Sequence, residues 1–395
     1  MNNDSRNDPL HSLNDRQKDA VLTTEGPLLI LAGAGAGKTK TLTHRIWHII
    51  KNGVEPKKVL AITFTNKAAK EMRERVSHLI ANDTTLNLPI SFTERPFMST
   101  FHSLGVHIMK NHGQSVGVPR NFSILDRSDS RRIVKGILEE LNLDPKEHKP
   151  DSILNAISRQ KGNYVTHTSY PNSVKTPFEE IVAQTWVRYE SAMAREKSLD
   201  FDDLLLKTAQ LLTTNKEVRE YYWNVWQYIH IDEYQDTNKV QYIIATVLAE
   251  KHRNICAVGD IDQTIYSWRG ADIKNILNFE KDYPEAKVIL LEENYRSTQT
   301  ILSAANEVIK KNVMRKEKNL FTRNEFGEKI RLDILYNEIE EARTVAESIN
   351  KLISKGTSPK EIAVLYRANF QSRVLEEAMI RDNIPYQLLG TKFFE

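Results

Sequence analysis

The chain has 395 residues, enough for roughly two to three domains at about 150 residues each. Apolar residues make up 40% and charged residues 27%, with only 15 Gly and 13 Pro, which excludes a disordered, collagen-like or low-complexity chain and leaves a globular one. The formal net charge of +3 neither demands nor excludes a polyanionic partner, because a basic groove can sit inside a near-neutral total.

No apolar stretch follows a basic start at the N-terminus, and no run approaches the ~18 apolar residues of a membrane span, so neither signal peptide nor anchor is expected. The single cysteine, Cys256, cannot form an internal disulfide. It lies in an apolar run that reads as a buried strand, and a reducing, cytoplasmic setting is expected.

Through the first hundred residues short apolar runs alternate with segments of helical period, the grammar of βαβ units around a parallel sheet. Strands are expected at 27–32, 58–64 and 96–100, with helices over 38–52 and 66–80 and another from 101. Residues 114–198 carry helical stretches, such as 129–141 and 176–195, without strand signals between them, and read as a helical insertion. Strands resume at 228–232, 255–259 and 287–291. After residue 292 a second α/β series is expected, with strands at 328–335, 362–366 and 385–389.

Two motifs carry chemistry. The expected first strand runs into Ala32-Gly33-Ala34-Gly35-Ala36-Gly37-Lys38-Thr39 and then a helix, the Walker A arrangement. Small residues let backbone N–H groups turn inward around phosphate oxygens, and the helix N-terminus adds its positive dipole end. Lys38 would reach the β- and γ-phosphates of a nucleotide and Thr39 would offer its hydroxyl to Mg2+. Ala32 stands where the strict pattern has Gly, and a small-residue turn of this kind can also be purely structural.

The second motif, Asp232-Glu233-Tyr234-Gln235-Asp236, sets two adjacent carboxylates at the end of an apolar strand, where parallel sheets bind ligands. Asp232 would face the metal and Glu233 would orient or deprotonate an attacking water. An acidic cluster after a strand reads equally well as a helix N-cap. A guanine-reading Asn-Lys-x-Asp is missing, since Asn66-Lys67 is followed by Ala68-Ala69, which argues against a GTPase.

Around these motifs the chain resembles the superfamily 1 DNA helicases of the UvrD/PcrA/Rep group over nearly its whole length. Leu13-Asn14-Asp15-Arg16-Gln17 resembles the adenine-reading element, 61–69 motif Ia, 99–103 motif Ib, 199–204 the return from the helical insertion, 258–270 motif III, and 293–298 motif IV. The resemblance implies an α/β fold: a RecA-like P-loop domain (1–113 and 199–290) with an α-helical accessory insertion (114–198), followed by part of a second RecA-like domain (291–395).

It also implies roles. Lys38, Asp232, Glu233, Gln263 and Arg296 would be catalytic, with Gln263 sensing the γ-phosphate and Arg296 stabilising transition-state charge. Gln17, residues 32–39 and Tyr295 would hold ATP, Gln17 pairing its amide bidentately with adenine and Tyr295 stacking on it. Thr39 and Asp232 would hold Mg2+. Phe64, Thr65, Asn66, His102, Tyr266 and Trp268, together with Arg367 and Asn369 just after an expected strand, would contact single-stranded DNA; core packing is the competing reading for Phe64 and Trp268. The basic run Lys310, Lys311, Arg315, Lys316, Lys318 and Arg323 reads first as a solvated helix face and second as a phosphate contact.

The implied activity is ATP hydrolysis, stimulated by single-stranded DNA, that drives 3′ to 5′ translocation and unwinding of 3′-tailed duplex DNA in repair or replication. The expected partners are DNA and replication or repair proteins, with no membrane, in a monomer or weak self-associate. The family continues further, through a second accessory domain and motifs V and VI. The chain therefore reads as an N-terminal portion or a natural short form, and the alternative function is a non-processive nucleotide- and DNA-binding module.

Overall fold

The structure, a computed structural model, describes residues 9–83, 86, 95–312 and 318–389. In chain order the elements are α1 (Asp15–Leu22), β1 (Leu28–Ala32), α2 (Lys38–Lys51), β2 (Val59–Thr63), α3 (Asn66–Asn82), β3 (Phe97–Thr100) and α4 (Phe101–His112). There follow β4 (Ser123–Ile124), α5 (Arg127–Glu140), α6 (Pro150–Gly162), α7 (Pro177–Arg195), β5 (Ser198–Leu199), α8 (Phe201–Thr214) and α9 (Lys216–Val225). The remainder are β6 (Tyr228–Ile231), α10 (Lys239–Ala249), β7 (Ile255–Gly259), α11 (Lys274–Leu277), α12 (Phe279–Asp282), β8 (Lys287–Leu291), α13 (Gln299–Ile309), α14 (Glu338–Ser354) and α15 (Ser372–Arg381).

β1, β2 and β7 are buried along their whole length, as apolar strands covered on both faces of a parallel sheet should be. The sheet has the order β3-β2-β6-β7-β1-β8 and every pairing in it is parallel. Alternate side chains of β1 divide between two cores. Leu28 and Ile30 join Ile46, Trp47 and Met72 from α2 and α3, while Leu29 and Leu31 join Leu104, Leu206 and Ile244 from α4, α8 and α10. Each such Leu or Ile contributes about 1.5–3 kcal/mol through burial, so the sheet is a stiff floor for whatever its strand ends carry.

The insertion leaves and re-enters through β4 and β5, which pair in parallel with Ser123 opposite Ser198 and Ile124 opposite Leu199. α5, α6 and α7 have an apolar core of their own, built from residues such as Val134, Ile153, Trp186 and Tyr189. One link to the sheet domain is ionic. The fully buried Lys161 of α6 reaches Asp200 at 2.9 Å, Asp203 at 2.7 Å and Glu190 at 2.9 Å. Asp200 and Asp203 also form the reciprocal cap that starts α8, so one ammonium joins insertion, exit strand and helix start.

The described residues form two compact units, Met1–Gly327 and Glu328–Glu395. The first runs past residue 291, the expected start of the second domain. The reason is that Phe321 pairs back onto the end of β8, its N–H donating to Glu292 O at 3.1 Å and its carbonyl accepting from Asn294 N at 2.7 Å.

In the second unit α14 and α15 pack through Ala342, Ala346, Ile349, Ala378, Met379 and Ile384. The strands expected at 328–335, 362–366 and 385–389 are absent: none of these residues is in a ladder. Ile334, Leu365 and Leu389 are 80–93% exposed. An alternating pattern marks a segment able to lie in a sheet, but a strand exists only beside a hydrogen-bonded neighbour, and these segments have none.

Lys161→Met leaves three carboxylates around an apolar side chain. It is expected to destabilise the chain by about 3–5 kcal/mol, read by denaturant unfolding.

Candidate nucleotide and nucleic-acid site

The sheet order sets the site. β6, β7 and β1 are neighbours, so their C-terminal ends bring together the acidic pair after β6, Asp260 after β7 and the phosphate loop after β1. In the loop Gly35 and Gly37 have φ of +67° and +80°. A Cβ on Gly37 would fall 2.7 Å from the Gln17 amide, and one on Gly35 would fall 2.8 Å from both Asn294 Nδ2 and the Arg296 Cβ. Glycine is therefore needed twice, for conformation and for space.

Gly37 is also the N-cap of α2, and no side chain caps that helix, whereas Thr65 caps α3 and Asn238 caps α10. The first N–H groups of α2 thus point into the loop as donors for an anion.

Lys38 Nζ pairs with Glu233 Oε2 at 2.8 Å across this space. Glu233 follows β6 in the left-handed region at φ +50° and also accepts from Gln235 Nε2 at 2.9 Å. Asp232 is buried beside it, and burial together with the Glu233 charge pushes its carboxyl up to about 6. Burial, again with Glu233, raises the Asp236 carboxyl to about 6 as well. A divalent cation would relieve that crowding of carboxylates. The residues thus fit a magnesium–nucleotide site, with Asp232 and the first-turn residue Thr39 as the oxygen donors.

The remaining expected nucleotide residues gather around the loop. Asn294 Nδ2 donates to Ala34 O at 2.7 Å and Tyr295 N to Gly35 O at 3.0 Å, which places Tyr295 and Arg296 beside the loop inside the first unit. The Tyr295 ring is half exposed and its hydroxyl donates to Glu293 at 2.8 Å.

Gln17 lies against the loop. Its Oε1 accepts from Asn14 N at 3.1 Å in the cap of α1, and its Nε2 donates to Ala36 O at 3.0 Å. Each end of the amide thus makes one bond that braces the phosphate loop, and its second N–H and second lone pair remain.

A second concavity, of about 850 Å3, is lined by Phe64, His102, Tyr266 and Trp268. The Phe64 and Tyr266 rings stack at 5.2 Å and 21°, and Tyr266 and Trp268 lie 6.4 Å apart. Trp268 is 67% exposed, against the core-packing reading for that ring. Burial lowers the His102 pKa, favouring a neutral ring. Thr65 and Asn66 are exposed at the start of α3, where the Thr65 hydroxyl caps Ala68 N.

Arg367 and Asn369 belong to the second unit, both exposed. They do not follow a strand; Arg367 N bonds Gln371 Oε1 at 3.0 Å and Asn369 opens a short turn.

Three groove residues, Asn155, Ser158 and Arg159, come from α6 of the insertion, which the motifs do not reach. The signal for them was weak: they occupy the polar side of a helix whose other side is Ile153, Leu154 and Ile157. The described residues of the basic run at 310–323 do not form one face. The Lys318 side chain is 6% exposed and ion-paired with Asp260 and Asp262, Lys310 pairs with Glu307 and Arg323 with Glu293. Arg315 and Lys316 lie outside the described residues.

Family models match both parts of the chain, UvrD/REP helicase N-terminal domain over 13–284 and UvrD-like helicase C-terminal domain over 289–395. The chain belongs to the UvrD/Rep helicase family. It is 48% identical over 388 residues to the ATP-dependent DNA helicase PcrA of Staphylococcus aureus, covering 98% of this chain and 52% of that protein. PcrA of Staphylococcus epidermidis is 47% identical over 386 residues, covering 97% and 52%. The chain thus spans about half the length of the curated relatives it matches. Among the described residues no helix is long and apolar enough to cross a membrane.

For this family member, Gly37→Ala forces a side chain into a left-handed position against Gln17. It is expected to cost about 1–3 kcal/mol of stability, measured by thermal or denaturant unfolding.

Proposed function

We propose that the chain is the ATP-hydrolysing and strand-gripping part of a DNA helicase. The observation that carries the reading is the Lys38–Glu233 pair, which joins the phosphate loop to the acidic strand end in the unit that also holds the aromatic groove. The relatives' printed name, ATP-dependent DNA helicase, supports it.

The loop N–H groups and the start of α2 bind the phosphates. Lys38 turns from Glu233 to the more concentrated charge of the β- and γ-phosphates. Glu233, released from Lys38 but still accepting from Gln235, holds and deprotonates the attacking water. Mg2+, when bound through Thr39 and Asp232, supplies charge neutralisation on the phosphates. Arg296, beside Gly35, stabilises the charge that develops as the γ-phosphoryl group transfers, and Gln263 senses the presence of that group.

Phe64, Tyr266 and Trp268 offer π-faces to bases and so grip a strand without reading sequence. Gln263 and Trp268 share one short segment, which links the nucleotide state to that grip and makes hydrolysis sensitive to single-stranded DNA. Movement from 3′ to 5′, unwinding of tailed duplexes and service in repair or replication follow from the family resemblance.

The decisive experiment is ATP turnover with and without a single-stranded oligonucleotide. Glu233→Gln is expected to keep ATP binding and lose turnover by at least about 10²-fold, because an amide cannot take the proton. Lys38→Ala is expected to lose binding as well. Parental turnover in the Glu233→Gln variant would refute the assignment.

In the groove, Trp268→Ala is expected to weaken single-strand affinity by about 1–3 kcal/mol, measured by fluorescence anisotropy at fixed salt. Unaltered affinity would place Trp268 outside the grip.

A further inference from the structure

Residues 318–320 lie against the nucleotide site at two points. A Cβ on Gly33 would collide with the side chain of Leu320, so Leu320 covers the start of the phosphate loop. Two residues earlier, the Lys318 ammonium is held between Asp260 and Asp262, with the Asp262 carboxylate at 3.1 Å and its own side chain only 6% exposed.

These acids build the turn that carries Gln263. Asp260 caps the turn by accepting from Asp262 N at 3.0 Å, and its other oxygen accepts from Gln263 Nε2 at 2.5 Å. On its far side the Asp260 N–H donates to Gln235 Oε1 at 2.9 Å, and Gln235 Nε2 donates to Glu233, the partner of Lys38. A continuous polar chain therefore runs Lys38, Glu233, Gln235, Asp260, Lys318. Without Lys318, two desolvated carboxylates two residues apart would repel each other and open the turn.

We propose that Lys318 is a positioning residue that holds the Asp260–Gln263 turn closed, so that phosphate arriving at Lys38 is transmitted to Tyr266 and Trp268 in the groove. This rests on the nucleotide-and-strand reading above. The assignment concerns a residue outside the phosphate loop, the acidic pair and the aromatic segment. Its charge acts on the turn and not on nucleotide or DNA.

Trp268 supplies a readout that needs no turnover. In the 395-residue chain, iodide quenching of tryptophan fluorescence is measured with and without the magnesium complex of a non-hydrolysable ATP analogue, with Trp268→Phe as the blank. The parent is expected to show a nucleotide-dependent change in quenching that is absent from the blank. Lys318→Met is expected to bind the analogue within about 3-fold of the parent and lose that change, because only the link is cut. Lys318→Arg, which keeps the charge, is expected to restore it.

Should Lys318→Met fail to fold, Lys318→Met with Asp262→Asn leaves a single carboxylate, itself bonded by Gln263, and with the repulsion gone it is expected to fold and regain the response. A folded Lys318→Met protein that retains the Trp268 response overturns the proposal, as does a folded double variant that binds the analogue and stays silent, or a parent that binds analogue without any response. Loss of analogue binding along with the response in the folded variants also overturns it, since Lys318 would then belong to the binding site. A parent that binds no analogue at all defeats the nucleotide reading itself.

Discussion

The ion pair between Lys38 and Glu233 is the constraint around which the first unit is organised. Its two ends come from β1 and β6, with β7 lying between them in the sheet. Two strand spacings, about 9.6 Å, lie within the combined reach of a lysine and a glutamate side chain, and the two meet over the end of β7. The glycines at 35 and 37 and the left-handed Glu233 set the backbone from which they reach. Gln235, bridging Glu233 and the Asp260 backbone, lies against Gly259 at the end of β7 and holds the carboxylate there.

Most of this was legible in the sequence, because the phosphate loop and the acidic pair are local patterns set by backbone chemistry. The strands of the first unit could be read for the same reason: β1 and β7 are short apolar runs bounded by turn residues. What could not be read depends on partners far away in the chain. Lys318 looked like one more solvated lysine in a basic run, yet it is enclosed by two aspartates some sixty residues upstream. The apolar alternation at 330–334 looked like a strand and is exposed, since pattern alone supplies no neighbour.

The insertion shows the same contrast between local and distant signals. Its helical period was readable, but the means of its attachment was not. Lys161 is one residue in a polar stretch of α6, and nothing near it in sequence announces three carboxylates from α7, the end of β5 and α8. A buried ionic knot contributes little net stability compared with well-packed apolar residues, while loss of one member is costly. It does fix direction: only one orientation of α6 puts the ammonium among all three acids. That orientation also turns Asn155, Ser158 and Arg159 toward the groove.

On the proposed reading, the resting ion pair has a chemical consequence. Phosphate offers Lys38 several negative oxygens in place of one carboxylate. The lysine therefore leaves Glu233 when a nucleotide enters, and the carboxylate is free to face a water. Within the pair each charge satisfies the other, which avoids leaving a half-buried carboxylate unpaired. Gln235 stays bonded to Glu233 throughout, so the base does not swing away as its partner departs. The same glutamine touches Asp260, and any shift of Glu233 is felt at the turn leading to Tyr266 and Trp268. Base activation and strand grip are thus two readouts of one displacement of Lys38, which accounts for the acidic pair and the aromatic segment sitting on adjacent strands.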